Sequence, residues 1–282
     1  MPFQYPAQGS RHLVIAATLT TLLAGCHFDR KPPAAPSVTA QGARELPAGN
    51  DPFSVEVRRG AAILNATRDS LPGHVGNALR CTSCHLDGGN REVLGLVGAY
   101  ARFPQYRART ASVQVVEDRI NDCFERSMAG KRMPADTAPM KAIVSYLAWM
   151  SSDVPVTPSV AGPKLTAGFD SLTPDTVAGR KVFETICAKC HGVDGDGTAL
   201  ATPLWGPRSY NIGAGMARYR TAAAFIHANM PNDRPGTLTR QEAIDVAGFI
   251  DGRPRPDFAG KEKDWPKGDA PADAPYVTRR SH

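Results

Sequence analysis

The pentapeptide Cys81-Thr82-Ser83-Cys84-His85 recurs as Cys187-Ala188-Lys189-Cys190-His191, and no other feature restricts the chain so tightly. C-x-x-C-H is the attachment signature of a c-type haem, in which two cysteines form thioethers and the histidine binds iron. Two intervening residues let both sulfurs reach the two vinyl positions of one macrocycle, and the histidine then lies under the metal. A dithiol redox pair needs no trailing histidine, and zinc needs two cysteine pairs converging on one tetrahedral centre. Two complete copies point instead to two covalently bound haem c groups. Cys81, Cys84, Cys187 and Cys190 are the expected attachment sites, and His85 and His191 the expected proximal iron ligands.

At 282 residues the chain has room for two small domains, each with its own core. Its net charge of +6 is modest, and haem propionates would offset much of it. No basic run is interleaved with aromatics, so no nucleic-acid partner is expected. Six cysteines less the four in the motifs leave Cys26 and Cys123, which make no disulfide framework.

Arg11 and His12 precede an apolar run, Leu13 to Leu23, that ends in Leu23-Ala24-Gly25-Cys26. A charged start, a short apolar centre and a small-residue cleavage site make residues 1–25 a signal peptide. The run is short for a membrane span. Leu-Ala-Gly-Cys resembles a bacterial lipobox, so Cys26 is the expected lipidation site of a periplasmic, membrane-anchored protein. A plain secretory signal with an incidental cysteine is the alternative, and either one exports the chain. Residues 26–52, rich in Pro, Ala and Gly, read as a flexible tether.

The remaining pattern predicts an all-α fold of two consecutive cytochrome c-type domains, at 53–154 and 173–260. A Pro/Gly-rich linker at 155–172 joins them, and a charged, Pro-rich surface tail follows at 261–282. In the first domain, helices are expected over Val57–Thr67, where Gly60 allows close helix approach, over Thr110–Met128 and over Thr137–Met150, with no strands. In the second, Gly179 to Phe183 opens directly into Cys187, and Thr239-Arg240-Gln241-Glu242 is a capping box for the closing helix. Leu204 to Pro207 is expected to pack beside the second haem and to offer a carbonyl to His191 Nδ1.

Each haem iron has a sixth site, and its occupant sets potential and reactivity. Met230, just before Pro231, is the expected distal ligand in the second domain, with Met216 and His227 as rivals. The first domain offers Met133-Pro134, and also Cys123 at almost the spacing of Met230 from its own motif. A lone cysteine is ordinarily a small buried hydrophobe, which favours Met133. An unpaired thiol in an exported protein is nevertheless unusual, and Arg119 and Ser127 lie one helical turn to either side of it, with Arg109 upstream. Cations lower a thiol pKa and hold anions, although the same arginines can simply pair with Glu117 and Asp118 on a solvated face.

Phe103-Pro104-Gln105-Tyr106, the run Glu117 to Met128 and Gly130-Lys131 resemble the thiosulfate dehydrogenase (tetrathionate synthase) family of dihaem cytochromes c. So do Leu204 to Pro207, Tyr210-Asn211, Gly213 to Met216, Asp257-Phe258 and Lys263 to Pro266. The resemblance implies that Cys123 is the distal ligand of the first haem and stands in the active site. It further implies that Arg109, Arg119 and Ser127 line the substrate pocket, and that His191 and Met230 hold the second haem. Some members carry a lysine just before that methionine; here the residue is Asn229, and no such ligand exchange is expected. The implied reaction joins two thiosulfates into tetrathionate, with the reverse direction left open, and sends two electrons through the second haem to an external cytochrome. For that reaction we expect Cys123 to leave the iron and bond to the first thiosulfate's outer sulfur, after which the second thiosulfate attacks that mixed disulfide. The alternative is a dihaem electron-transfer cytochrome without its own substrate.

Overall fold

The structure, a computed structural model, describes residues 44–156 and 165–278. Cys26, the expected signal peptide and most of the expected tether lie outside the described residues, as do the last four residues of the tail. Six helices exceed a turn or so among the described residues: α1 (Pro52–Asn65), α2 (Val116–Asp122), α3 (Ala138–Trp149), α4 (Thr176–Val182), α5 (Tyr219–Asn229) and α6 (Arg240–Asp251). None is long and apolar enough to cross a membrane.

The two halves solve one packing problem in the same way. Asp51 caps α1 by accepting the Ser54 N–H at 3.0 Å, and Pro52 occupies the first turn, where its missing donor costs nothing. Val57, Ala61 and Leu64 then fall on one buried stripe. At Gly60 a Cβ would overlap the Ala142 carbonyl of α3, so the glycine is what lets α1 and α3 cross closely. In the second half Asp175 caps α4, and a Cβ at Gly179 would overlap the Asp245 carbonyl of α6. Thr239 and Glu242 form the expected reciprocal cap on α6. Each pair of crossed helices closes over its own core. Val57, Leu64, Phe124, Met140, Ile143 and Met150 lead the first, and Phe183, Ala223, Ile244, Val246 and Phe249 the second.

The expectation of no strands is corrected. Gln105–Arg107 (β1) and Ser112–Gln114 (β2) form a small antiparallel hairpin that pairs Tyr106 with Val113. The helix expected from Thr110 begins only at Val116. Ala111 takes a left-handed φ of 50° in the turn, and Asp118 accepts the Val115 N–H at 3.2 Å, which fixes the later helix start. The apolar spacing of Val113 and Val116 fits a helix, but turn closure and β-branched residues in the strand win locally.

Three further segments are less loose than their composition implies. Residues 44–51 lie against the first half, where Arg58 donates to the carbonyls of Pro47 and Gly49, both at 2.6 Å. Within the expected linker, Phe169 is buried in the second core. The expected surface tail buries Asp264 and Trp265, and Trp265 donates its N–H to the Arg109 carbonyl at 2.7 Å.

Polar bonds join the halves. Asn77 Nδ2 donates to Ser127 O (2.8 Å) in the first half and to Ser209 O (3.0 Å) in the second. Asn211 answers from the other side, giving its side-chain amide to Glu125 O (2.8 Å) and its N–H to Arg126 O (3.2 Å). The segment from Cys123 to Ser127 is thereby clamped between two asparagines.

Candidate active site

Cys123–Ser127 is a π-helical turn that continues α2, with the Met128 N–H donating to the Cys123 carbonyl at 2.9 Å. Such widened turns occur often at functional sites, because they re-aim the side chains that follow. Asn121 anchors the turn by exchanging two hydrogen bonds with the Met133 backbone, at 2.7 and 3.0 Å. Met133 itself is buried in the first core, whereas Cys123 remains partly accessible.

Cys123 Sγ accepts from Arg119 at 2.9 Å and lies within hydrogen-bond reach of the His85 ring. Burial pushes the Cys123 thiol up, but Arg119 and His85 outweigh it and bring it down to about 7. Among the motif cysteines burial is the largest cause and neighbouring cysteines add to it, against a small opposing bond from Thr67 at Cys81, so that Cys81 and Cys84 rise to about 12 and Cys187 to about 11. These sulfurs sit in surroundings suited to a neutral thioether.

Each motif histidine is held by a backbone carbonyl. His85 Nδ1 donates to Leu94 O at 2.6 Å, and His191 Nδ1 to Thr202 O at 2.8 Å. That bond fixes the tautomer and leaves Nε2 with its lone pair free to bind iron. The acceptor for His191 is thus Thr202, not a carbonyl of Leu204–Pro207, although Trp205 does pack on Phe183 with ring centroids 4.9 Å apart. Among the described residues no three His, Cys, Asp or Glu side chains converge as a bare metal site, so the two cysteine pairs share no tetrahedral centre. Free paired cysteines, a tautomer-fixed histidine and an apolar wall at each motif fit a haem c.

In the second half, α4 passes through a π-helical turn at Phe183–Cys187 into the helical turn Ala188–His191. Met230 is the C-cap of α5 in extended conformation, packed at the edge of the second core together with Met216. His227 Nδ1 is engaged by Leu238 O at 2.8 Å, and its ring meets Phe169 edge-on at 6.0 Å. Asn229 is buried and donates to Phe225 O at 3.2 Å.

The remaining expected site residues fall in two places. Arg119 and Cys123 are in direct contact, and the Ser127 hydroxyl, one wide turn on, makes no hydrogen bond among the described residues. Arg109 sits further off: it donates to the Gly213 carbonyl, stacks on Trp265 at 4.4 Å and lies 3.8 Å from Asp264. Burial, Arg126 and Arg218 pull the Arg109 guanidinium down to about 10, although Tyr276 and Asp264 oppose this. Arg107, at the end of β1, is within electrostatic reach of Arg119, Asp122, Cys123 and Arg218. Neither Arg107 nor Arg218 carries a signal in the sequence. One depends on where the hairpin turns, the other on a loop folding back from the second half.

Residues 74–156 match the family described as SoxA/TsdA, cytochrome c domain, and residues 174–250 match cytochrome C oxidase, cbb3-type, subunit III. A thiosulfate dehydrogenase of Allochromatium vinosum is 39% identical over 256 residues, covering 87% of this chain and 93% of that protein. The chain belongs to the thiosulfate dehydrogenase family. A Psychrobacter arcticus thiosulfate dehydrogenase is 42% identical over 238 residues, covering 79% of this chain and 71% of its relative. The solved thiosulfate dehydrogenase (TsdBA) of Marichromatium purpuratum superposes with a TM-score of 0.65 at 35% identity. It covers 77% of this chain, which spans about half of that longer one (49%). The chain is thus a family enzyme built from two cytochrome c domains, helix-rich with little sheet.

Proposed function

We propose that the chain oxidises two thiosulfates to tetrathionate and passes the two electrons to an external cytochrome. The observation that carries this reading is Cys123, held against His85 by its π-helical turn and bonded to Arg119 at 2.9 Å. A carrier without a substrate has no use for a thiol flanked by guanidiniums, and Met133 is turned into the core instead.

Cys81, Cys84, His85 and Cys123 would hold one haem c, and Cys187, Cys190, His191 and Met230 the other. When bound, each haem supplies a sink for one electron. The chemistry of the chain's own residues then follows from charge. Thiosulfate is a dianion, and Arg119 at the cysteine draws its sulfonate oxygens by charge-assisted bonds. The Cys123 thiolate and the outer sulfur of the first thiosulfate form an S–S bond and release two electrons, leaving a cysteine S-thiosulfonate with one negative charge. The outer sulfur of the second thiosulfate attacks the sulfane sulfur of this adduct. Tetrathionate leaves as a dianion, and Cys123 returns as thiolate. Ser127 has a hydroxyl free to hold a sulfonate oxygen of either substrate, and Arg109 adds positive charge at the wall shared by the two halves.

The same reading makes the protein periplasmic, with Cys26 carrying the lipid that holds it to a membrane. Intact-mass measurement of holoprotein treated with thiosulfate and ferricyanide tests the chemistry. One thiosulfate equivalent should appear on Cys123 and vanish on adding excess thiosulfate, with tetrathionate released. Full turnover by Cys123→Met, or turnover with no adduct at any time, would remove the covalent route.

A further inference from the structure

The positive charge near Cys123 exceeds what a single anion subsite needs, and its source is unusual. The loop from Asn211 to Arg218 belongs to the second half, yet it is locked onto the π-helical turn of the first. Asn211 bonds to both Glu125 O and Arg126 O, and Arg109 reaches across to Gly213 O. The loop ends at Arg218, the N-cap residue of α5. Arg218 Nε is buried without a hydrogen-bond partner. Among the described residues the Arg107 guanidinium has one hydrogen bond, to Gln105 Oε1 at 3.1 Å.

The two carboxylates nearby are already engaged. Asp122 accepts from Gln114 at 3.3 Å and lies 3.9 Å from Arg126, while Asp264 is bound by Arg126 and Tyr276. Among the described residues no carboxylate pairs with Arg107, Arg119 or Arg218. Arg107 is within electrostatic reach of both Arg119 and Arg218, and like charges in a partly buried place repel one another and lose hydration, a cost that an anion between them offsets. Arg119 is committed to the cysteine, which leaves Arg107 and Arg218 for a second anion.

We infer that Arg107 and Arg218 form the subsite of the second, attacking thiosulfate, so that each half of the chain contributes to binding it. The inference rests on the function proposed above and assigns it a place. Two planar forks suit the three oxygens of a sulfonate and leave the outer sulfur uncovered, facing the adduct on Cys123. They also offset the repulsion between an incoming dianion and a charged adduct. Arg119 serves the first substrate, and Arg107 with Arg218 the second.

Arg107→Gln, Arg218→Gln and Arg218→Lys test this in holoprotein of unchanged haem content and melting temperature. The Cys123 adduct should form at the wild-type rate in both Gln variants, and its discharge by added thiosulfate should slow about tenfold or more, the worth of one lost charge-assisted bond. Arg218→Lys should fall between. Wild-type discharge in both Gln variants, or slowed adduct formation equal to slowed discharge, overturns the assignment. Sulfate, an inert dianion, reads the site without turnover: calorimetric titration should show about tenfold weaker binding in Arg218→Gln. Unchanged sulfate binding overturns it as well. Wild-type protein that binds sulfate in an Arg218-dependent way but never turns over thiosulfate would sink the proposed function and leave the anion site standing.

Discussion

Asp264→Ala tests whether the C-terminal segment is part of the fold or drapes over it. Asp264 has a side chain only 2% exposed, and it binds Arg126 through both oxygens at 2.7 and 2.8 Å. Tyr276 donates to the same carboxylate at 2.5 Å, and Arg109 stands 3.8 Å away. Removing it strands the Arg126 guanidinium, whose side chain is 10% exposed. Breaking a buried ion pair from one side costs about 3–5 kcal/mol, because the orphaned charge stays buried. Asp122, 3.9 Å from Arg126 Nε, and the face of Phe258, 4.3 Å from the guanidinium carbon, give partial compensation. The lower end, about 3 kcal/mol, is therefore expected, a fall of roughly 6–12 °C in Tm for a chain of this size. Thermal unfolding of the holoprotein by circular dichroism reads it. Asp264→Ala with Arg126→Met should recover more than half the loss, since no buried charge is then left alone. A single variant within 2 °C of wild type, or a double variant no better than the single, would refute the argument.

Two further outcomes follow from packing and charge. Gly60→Ala gains about 1 kcal/mol of helix propensity but forces α1 off the Ala142 carbonyl, an overpacking cost of about 1–3 kcal/mol or more, so denaturant unfolding should show net destabilisation. Gly73→Ala, where an added Cβ meets nothing within 4 Å, is the control and should be near neutral. Burial raises Asp251 to about 7, and Asp273 adds to this, against the opposing pull of Arg255 and Tyr210. The folded state then holds a proton that the unfolded chain releases near its ordinary carboxyl pKa. Stability should therefore fall as pH rises from about 4 to 7, by at most about 1.4 kcal/mol per pH unit, and level off above. Asp251→Asn should flatten that part of the profile in pH-dependent melting; an unchanged slope would count against a buried neutral carboxyl.

What the sequence made legible was whatever repeats or sits close along the chain. The two C-x-x-C-H motifs, the Gly60 helix crossing and the Thr239–Glu242 cap are local patterns with local physical causes. Helix periodicity erred from Thr110 to Val115, because Val113 and Val116 satisfy a helical stripe equally well in a hairpin followed by a helix, and it began the first helix at Val57 rather than at Pro52. Low apolar content misled at 165–172 and in the tail. Few residues there are large, but Phe169 and Trp265 are each buried almost completely, and one aromatic is enough to pin a short segment.

The proposed anion site was legible only in part, for a reason built into its construction. Cys123 and Arg119 lie on one continuous helical path, so spacing alone puts them in contact. Arg218 comes within electrostatic reach of Arg107 on a loop that Asn77 and Asn211 stitch to the π-helical turn, and no spacing rule connects residues so far apart. On the proposed mechanism, that stitching gives a reason for two halves in fixed contact. In that mechanism a dianion attacks a charged adduct, and cations beside the forming S–S bond ease their repulsion. A single small helical domain, with its interior given to a haem, has little wall left on which to place them. Lending an arginine loop from the second half supplies that wall. The buried Arg126–Asp264 pair ties the segment around Asp264 to the same π-helical turn.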